Sequence, residues 1–313
     1  MIIKAISVSV AAALALGTPV LTKSDAAVTA VATAAVCPAV SGHRGFVSEA
    51  PENSVQGIKA AKVAGAKYVE MDVQFDSSGY PRLLHDDTLD RTTNGKGKIS
   101  AQTYTTVETY TAADYAPWND ATKHPETAGW TDSAKKLPRV KVPRAYDFFT
   151  AVNNEKISAI LDMKAAPASA DQASKLLQYI TQYQLTSKII VQGSEDTIKK
   201  MRTYSGYSAL TYALIEFPTA VSATAPATNV KNPAYLRDVL KVKYYALAVK
   251  NITSKEFVDG YEAAGVHMIT WSTESSGAYD NAANWANMTS YGVSVLTTNE
   301  PKKLADWELT VGC

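Results

Sequence analysis

From about residue 40 to the end, short apolar runs alternate with longer amphipathic stretches of helical period. "AVSGHRGF" leads into the helical "ENSVQGIKAAKVAG", for which Asn53 is the expected cap and Gly65 the stop. "YVEMDVQF" and "PRLLHDD" come next. Then follow "ISAILDMK" with "SADQASKLLQYITQYQ", "KIIVQGS" with "EDTIKKMRTYS", and "SALTYALIE" with a loop containing Pro and Ala. The tail adds "YYALAVKN" with "TSKEFVDGYEAAG", "VHMITWST" with "YDNAANWANMTSYG", and "VSVLTTNEP" with "KKLADWE". With "PRLLHDD" set aside, strands are expected to start near Val40, Tyr68, Ile157, Lys188, Ser208, Tyr244, Val266 and Val293. Repeated β-then-α units of this kind point to an α/β fold, a (β/α)8 TIM barrel. The rival, an open doubly wound sheet, would want a Gly-rich fingerprint after its first strand, and none is present.

The segment Ile99 to Arg144 breaks the alternation. It is rich in Thr, Tyr, Trp and Ala and too long for an ordinary connection, so it reads as an insertion or lid (residues 99–144) over the catalytic face, before the third barrel strand. The stretch "YVEMDVQFDSSGYPRLLHDD" before it reads as a hairpin arm. If Ser78-Gly79 is a two-residue loop, Gln74 faces Leu83, Asp72 faces His85 and Glu70 faces Asp87. Glu70, Asp72, His85 and Asp87 then share one side, which cannot be plain hydrophobic core.

On "ISAILDMK" the same period puts Asp162 and Lys164 on one face at the C-terminal end, the end that carries barrel active sites. The first strand ends in His43-Arg44-Gly45. Glu70, Asp72 and Asp162 make a hard, oxygen-rich set suited to one divalent cation, Ca²⁺ or Mg²⁺, whereas the scarcity of Cys and His argues against structural zinc. His43 and His85 can serve as general acid and base, and Arg44 and Lys164 can neutralise phosphate oxygens. Together these residues suit metal-assisted attack on a phosphodiester. His124 and His267 read instead as solvated or packed histidines.

Composition adds boundaries rather than chemistry. The 313 residues are 46% hydrophobic with a formal net charge of +1, as in a soluble globular protein, so neither nucleic acid nor an anionic membrane surface is indicated as partner. Lys4, the apolar run Ala5 to Leu16 and the small residues around Ala26 and Ala35 read as an export signal and leader, residues 1–36, before a domain spanning residues 37–313. That run is too short and interrupted for a stable membrane anchor. The two cysteines, Cys37 and Cys313, invite a disulfide tying the ends of the exported domain together, with two unpaired thiols as the alternative.

The stretch "GHRGFVSEAPENSVQGIKAAKVAGAKYVEMDVQFDSSGYPRLLHDDTLDRTTNGKG" resembles the glycerophosphodiester phosphodiesterase family, which shows HRG, PEN, an E-x-D strand, HD and an R-T segment in this order. "LPRVKVPRAYDFF", "LDMK", "VHMITWST" and "GVSVLTTNEP" are similar to later family segments. The resemblance implies a TIM barrel, His43 and His85 as acid-base pair, and Glu70, Asp72 and Asp162 around one divalent cation. It also implies Arg44 and Lys164 on the phosphate and Trp271 lining the substrate cleft. The family usually has Glu at position 162 and Asp at position 299, where this chain has Asp162 and Asn299. "LDMK" with Trp271 is also similar to the related sphingomyelinase D and lysophospholipase D enzymes.

The expectation is therefore a secreted, metal-dependent monomer hydrolysing glycerophosphodiesters such as glycerophosphocholine or glycerophosphoethanolamine. The alternative within the same chemistry is a lysophospholipase D acting on lysophospholipid head groups, with water or a substrate hydroxyl as the attacking group. From a different class, a non-catalytic binding protein would keep the barrel for ligand capture alone.

Overall fold

Runs rich in Val, Ile, Leu and Tyr form the strands, because β-branched and aromatic side chains suit a pleated, half-buried surface. In chain order these are β1 (Ala39–Gly42), β2 (Tyr68–Phe75), β3 (Pro81–Leu83), β4 (Ser158–Met163), β5 (Ile189–Gly193), β6 (Thr211–Ile215), β7 (Tyr244–Ala248), β8 (His267–Trp271) and β9 (Val295–Thr298). They belong to a computed structural model that describes residues 37–112, 140–218, 230–271 and 278–313. The expected export signal and leader, the middle of the insertion (residues 113–139) and His124 lie outside the described residues.

The sheet order is β1-β9-β8-β7-β6-β5-β4-β2-β3, and β1 also pairs with β2, so the parallel strands close into a ring. Only β3 stands outside that ring, antiparallel to β2. The expected TIM barrel is what forms, and β6 starts at Thr211 because residues Tyr207–Ala209 make a 3-10 turn first.

Alternation splits each strand between two environments. One set, Ile160, Ile190, Ala213, Ala246, Ile269 and Val295, fills the barrel interior. The other set, including Val69, Met71, Leu161, Val191, Leu214, Leu247 and Leu296, packs outward against helix residues such as Ile58, Phe148, Leu176, Ile198, Val258 and Leu304. Each such fully buried side chain contributes about 1.5–3 kcal/mol relative to exposure.

The helices are α1 (Val55–Val63), α2 (Tyr104–Val107), α3 (Ala145–Glu155), α4 (Ala170–Gln182), α5 (Glu195–Met201), α6 (Lys255–Glu262), α7 (Ala282–Tyr291) and α8 (Pro301–Thr310). Ser169, Ser194, Ser254 and Asn281 cap α4, α5, α6 and α7, each side chain accepting from the backbone N–H three residues on. The expected cap of α1, Asn53, is not one. Ser54 does that work by accepting from Gly57 N–H, and Asn53 sits in the left-handed region (φ 57°) with its side chain turned back toward β2.

The hairpin register also differs from expectation by one residue. Val73 pairs with Leu83, Gln74 with Arg82 and Phe75 with Pro81, so the loop is Ser77-Ser78-Gly79. Asp76 causes this: its carboxylate accepts from the N–H groups of Ser78 and Tyr80 at 3.0 and 2.9 Å, closing a three-residue turn, and Gly79 takes the required left-handed conformation (φ 77°). Asp72 therefore lies opposite Leu84, whose N–H donates to the Asp72 carbonyl, and not opposite His85. Asp87 leaves the predicted face altogether; its side chain is 70% exposed and pairs with Lys98.

Beyond β3, Leu84, Leu89, Ile99, Val107 and Val142 form a small separate core that joins the arm to both ends of the insertion. Arg82, fully buried, ties it to the barrel through Asp76 at 3.0 Å and Glu108 at 2.6 Å. At the chain ends, Cys37 and Cys313 are disulfide-bonded, with Cα atoms 5.7 Å apart. Among the described residues no helix is long and apolar enough to cross a membrane.

Candidate active site

The barrel register carries three acids to the same mouth. Asp72 lies beside Asp162 on adjacent strands, and Glu70 is one inward step earlier on β2. All three are buried, and one carboxylate oxygen from each lies within 4.8 Å of the others. Such crowding of anions in a dry site is costly unless cations neutralise it. The chain supplies two. Lys164 Nζ sits 2.7 Å from Asp72 Oδ1 and 2.5 Å from Asp162 Oδ2, and Arg44 Nε is 3.3 Å from Asp72 Oδ2.

The protonation states follow. Burial raises Glu70 well above the usual carboxyl range, and the Asp72 and Asp162 charges push it further. Asp72 goes the other way: burial works against its charge, but Lys164 and Arg44 outweigh it. Asp162 is raised by burial despite Lys164, and Lys164 is raised because Asp72 and Asp162 overcome its own burial. Three crowded carboxyls, two of them pushed upward by burial, are a set that a divalent cation would complete, and oxygen donors at this spacing fit a hard ion.

The turn after β1 is built for close approach. Arg44 takes a left-handed conformation (φ 52°), Gly45 follows with φ 95°, and a Cβ on Gly42 would lie 2.0 Å from the Gly45 carbonyl oxygen. This turn points the Arg44 N–H at Glu70 Oε2, 3.0 Å away. His43 stands beside it, with Nε2 3.9 Å from Glu70 Oε2 and Nδ1 2.7 Å from Asn299 Oδ1. Because an amide oxygen only accepts, Nδ1 carries the hydrogen and Nε2 keeps its lone pair toward the acids. Burial, with Arg44 adding to it, lowers the His43 pKa to about 4. Asn299 is itself held, its N–H donating to Asp280, which also accepts from the Thr298 hydroxyl.

His85 reaches the site just past the end of β3, where strand alternation no longer binds it. Its Nδ1 is 2.8 Å from Asp86 Oδ1. Gln74 fixes the backbone there, donating to the carbonyls of Leu84, His85 and Asp86. Trp271 ends β8 on another part of the wall, its ring edge-on to Phe217 at 5.6 Å. His267, at the start of β8, pairs with Glu262 and stays out of the cluster.

Several partners were not assigned from sequence. Asn53 clamps Asp72 from both sides, its Nδ2 donating to Oδ2 at 2.7 Å and its Oδ1 accepting from the Asp72 N–H at 2.9 Å. Glu52 accepts from Arg44 and Arg91, and Gln192 donates to Asp162 Oδ1 at 3.3 Å. The signals were present in the PEN and R-T-T motifs and in a lone glutamine ending the apolar "KIIVQGS".

The chain is similar to several known phosphodiesterases. Glycerophosphodiester phosphodiesterase 1 of Bos taurus is 26% identical over 252 residues, covering 74% of this chain and 71% of that protein. The glycerophosphodiester phosphodiesterase of Caldanaerobacter subterraneus is 23% identical over 273 residues, covering 85% and 95%. The structure of an Oleispira antarctica phosphodiesterase, in complex with the product sn-glycerol-3-phosphate, superposes with a TM-score of 0.66 at 17% identity, covering 87% of this chain and 96% of that one. With residues 43–303 matching the Glycerophosphoryl diester phosphodiesterase family, the chain belongs to that family of phosphoric diester hydrolases.

Proposed function

We propose that this protein is an exported, divalent-cation-dependent hydrolase of glycerophosphodiesters such as glycerophosphocholine and glycerophosphoethanolamine. The observation that carries the reading is the buried Glu70, Asp72 and Asp162 trio with His43 3.9 Å from Glu70 at the same mouth. Those three acids would hold Ca²⁺ or Mg²⁺, which supplies charge stabilisation for the phosphoryl oxygens when bound.

The chain's own residues then divide the work. His43, neutral with its Nε2 lone pair free, suits the base that takes a proton from the attacking hydroxyl, of water or of the substrate. His85, with an anionic partner in Asp86, suits the acid that gives a proton to the departing alcohol oxygen as its bond to phosphorus breaks. Arg44 and Lys164, held beside the acids, would neutralise the phosphate oxygens. Water as nucleophile yields a phosphomonoester directly; a substrate hydroxyl yields a cyclic phosphate first.

Export is supported by the Lys4 and Ala5–Leu16 pattern and by the Cys37–Cys313 disulfide. A lysophospholipase D reading is favoured by one observation, the 76% exposed Phe217 against Trp271, an apolar pair on the wall that an acyl chain could cover. Comparing turnover of glycerophosphocholine with that of its one-chain lysolipid tests the choice. A deacylated substrate turned over at least tenfold faster supports the main reading, and the reverse order replaces it.

A further inference from the structure

A chain of charged side chains joins the turn that carries His43 to the loop that carries His85. Arg91 lies at its centre. Its Nε and Nη2 donate to Asp86 at 2.7 and 2.8 Å, and its Nη1 and Nη2 donate to Glu52, both at 2.9 Å. One planar guanidinium thus grips two carboxylates along two of its edges, an arrangement a lysine could not copy. Glu52 also accepts from Arg44 Nη1, with both of its oxygens 3.3 Å away. Asp86 accepts in turn from the His85 ring. The order is Arg44, Glu52, Arg91, Asp86, His85.

The His85 backbone is already fixed by Gln74, but its ring is 36% exposed, and among the described residues Asp86 is the partner that sets its rotation. A free aspartate would itself rotate. Arg91 prevents this with two parallel bonds, and it holds the Asp86 carboxyl down at about 2, so that group stays an acceptor at any working pH. Isolated surface ion pairs do little, but this one is doubly bidentate and continuous with the buried acids of the site.

We propose that Arg91 is a positioning residue for His85: it orients the Asp86 carboxylate, which takes the His85 Nδ1–H and so leaves Nε2 as the nitrogen presented to the substrate. Through Glu52 the same guanidinium is tied to Arg44, so it also sets the spacing between the two histidine-bearing segments. This rests on the role given to His85 above.

The test uses the full exported chain, labelled with nitrogen-15, with the His85 ring nitrogens read by long-range proton-nitrogen correlation above the histidine titration range. The wild-type ring is expected to carry its proton on Nδ1. Arg91→Ala is expected to move it toward a mixture of tautomers and to lower kcat about 10- to 100-fold, with KM changed less than about threefold, as for a misplaced catalytic group. Arg91→Lys is expected to recover only part of kcat, and added guanidinium ion to rescue Arg91→Ala but not Asp86→Ala. Asp86→Ala does not depend on Arg91→Ala folding, and the double variant should be no slower than Asp86→Ala alone. An unchanged tautomer with wild-type kcat in Arg91→Ala, or full additivity in the double variant, overturns the proposal. The tautomer needs no turnover, so a wild-type protein inactive on every diester would count against the proposed function while this reading still decides the positioning role.

Discussion

At the residue scale the site is a problem in charge accommodation, and two groups carry consequences that can be measured. Burial, with the charges of Asp72 and Asp162 adding to it, pushes the Glu70 carboxyl well above its usual range, whereas a cation needs the carboxylate. Binding of Ca²⁺ or Mg²⁺ should therefore release protons and weaken as pH falls; calorimetry in two buffers of different ionisation heat detects the release, and none at all would refute the assignment. His43 is held neutral with a folded pKa of about 4 against an ordinary value of 6.5. The unfolded chain binds the extra proton, so the contribution of roughly 3 kcal/mol is complete above pH 6.5 and lost as pH falls to about 4. Unfolding of wild type and His43→Gln across that window should show wild type losing its advantage; parallel curves would argue against a half-buried neutral ring. The hairpin sum that placed His85 opposite Asp72 was off by one, whereas the acids, the lysine, Arg44 and His43 were legible in the sequence because strand period and strand ends place them. Asn53 was not, since its role depends on a left-handed backbone that reverses its side chain onto Asp72.

At the element scale the hairpin arm shows where pattern reading stops. A Ser-Gly pair fits a two-residue loop as well as a three-residue one, and only the Asp76 side chain chooses between them. The one-residue slip removed the expected pairing of Asp72 with His85; the strand ends at Leu83, and Gln74 then holds the His85 backbone while Asp86 takes its ring. The arm is anchored by Arg82, a wholly buried arginine with two acidic partners. Arg82→Met should destabilise by about 3–5 kcal/mol, since Asp76 and Glu108 lose their counter-ion, and hydrogen exchange should rise first in β3 and α2. Faster exchange spread evenly over the barrel would contradict the arm as a separate unit. The strands of the barrel were legible because each alternates between an inner and an outer apolar environment, which repeats around the ring.

At the scale of the whole molecule, the barrel gathers onto one mouth residues that are far apart in sequence, and its ends are fastened by a disulfide whose partners are 276 residues apart. Replacing both cysteines by serine should cost about 2–5 kcal/mol, read as a lower midpoint in denaturant, with little change in kcat because the bond joins chain ends rather than site residues. The family was legible from dense motifs at the front of the chain, where backbone turns and metal-type ligands leave few alternatives. The helices on the outside have many acceptable sequences and carry little of that signal. The most direct test of the account is phosphorus-31 NMR of glycerophosphocholine incubated with the protein, with Ca²⁺ or Mg²⁺ and then with excess chelator. The account predicts that the diester signal gives way to a phosphomonoester, directly or through a cyclic phosphate, and that the chelator stops it. Undiminished turnover in the chelated sample would contradict it.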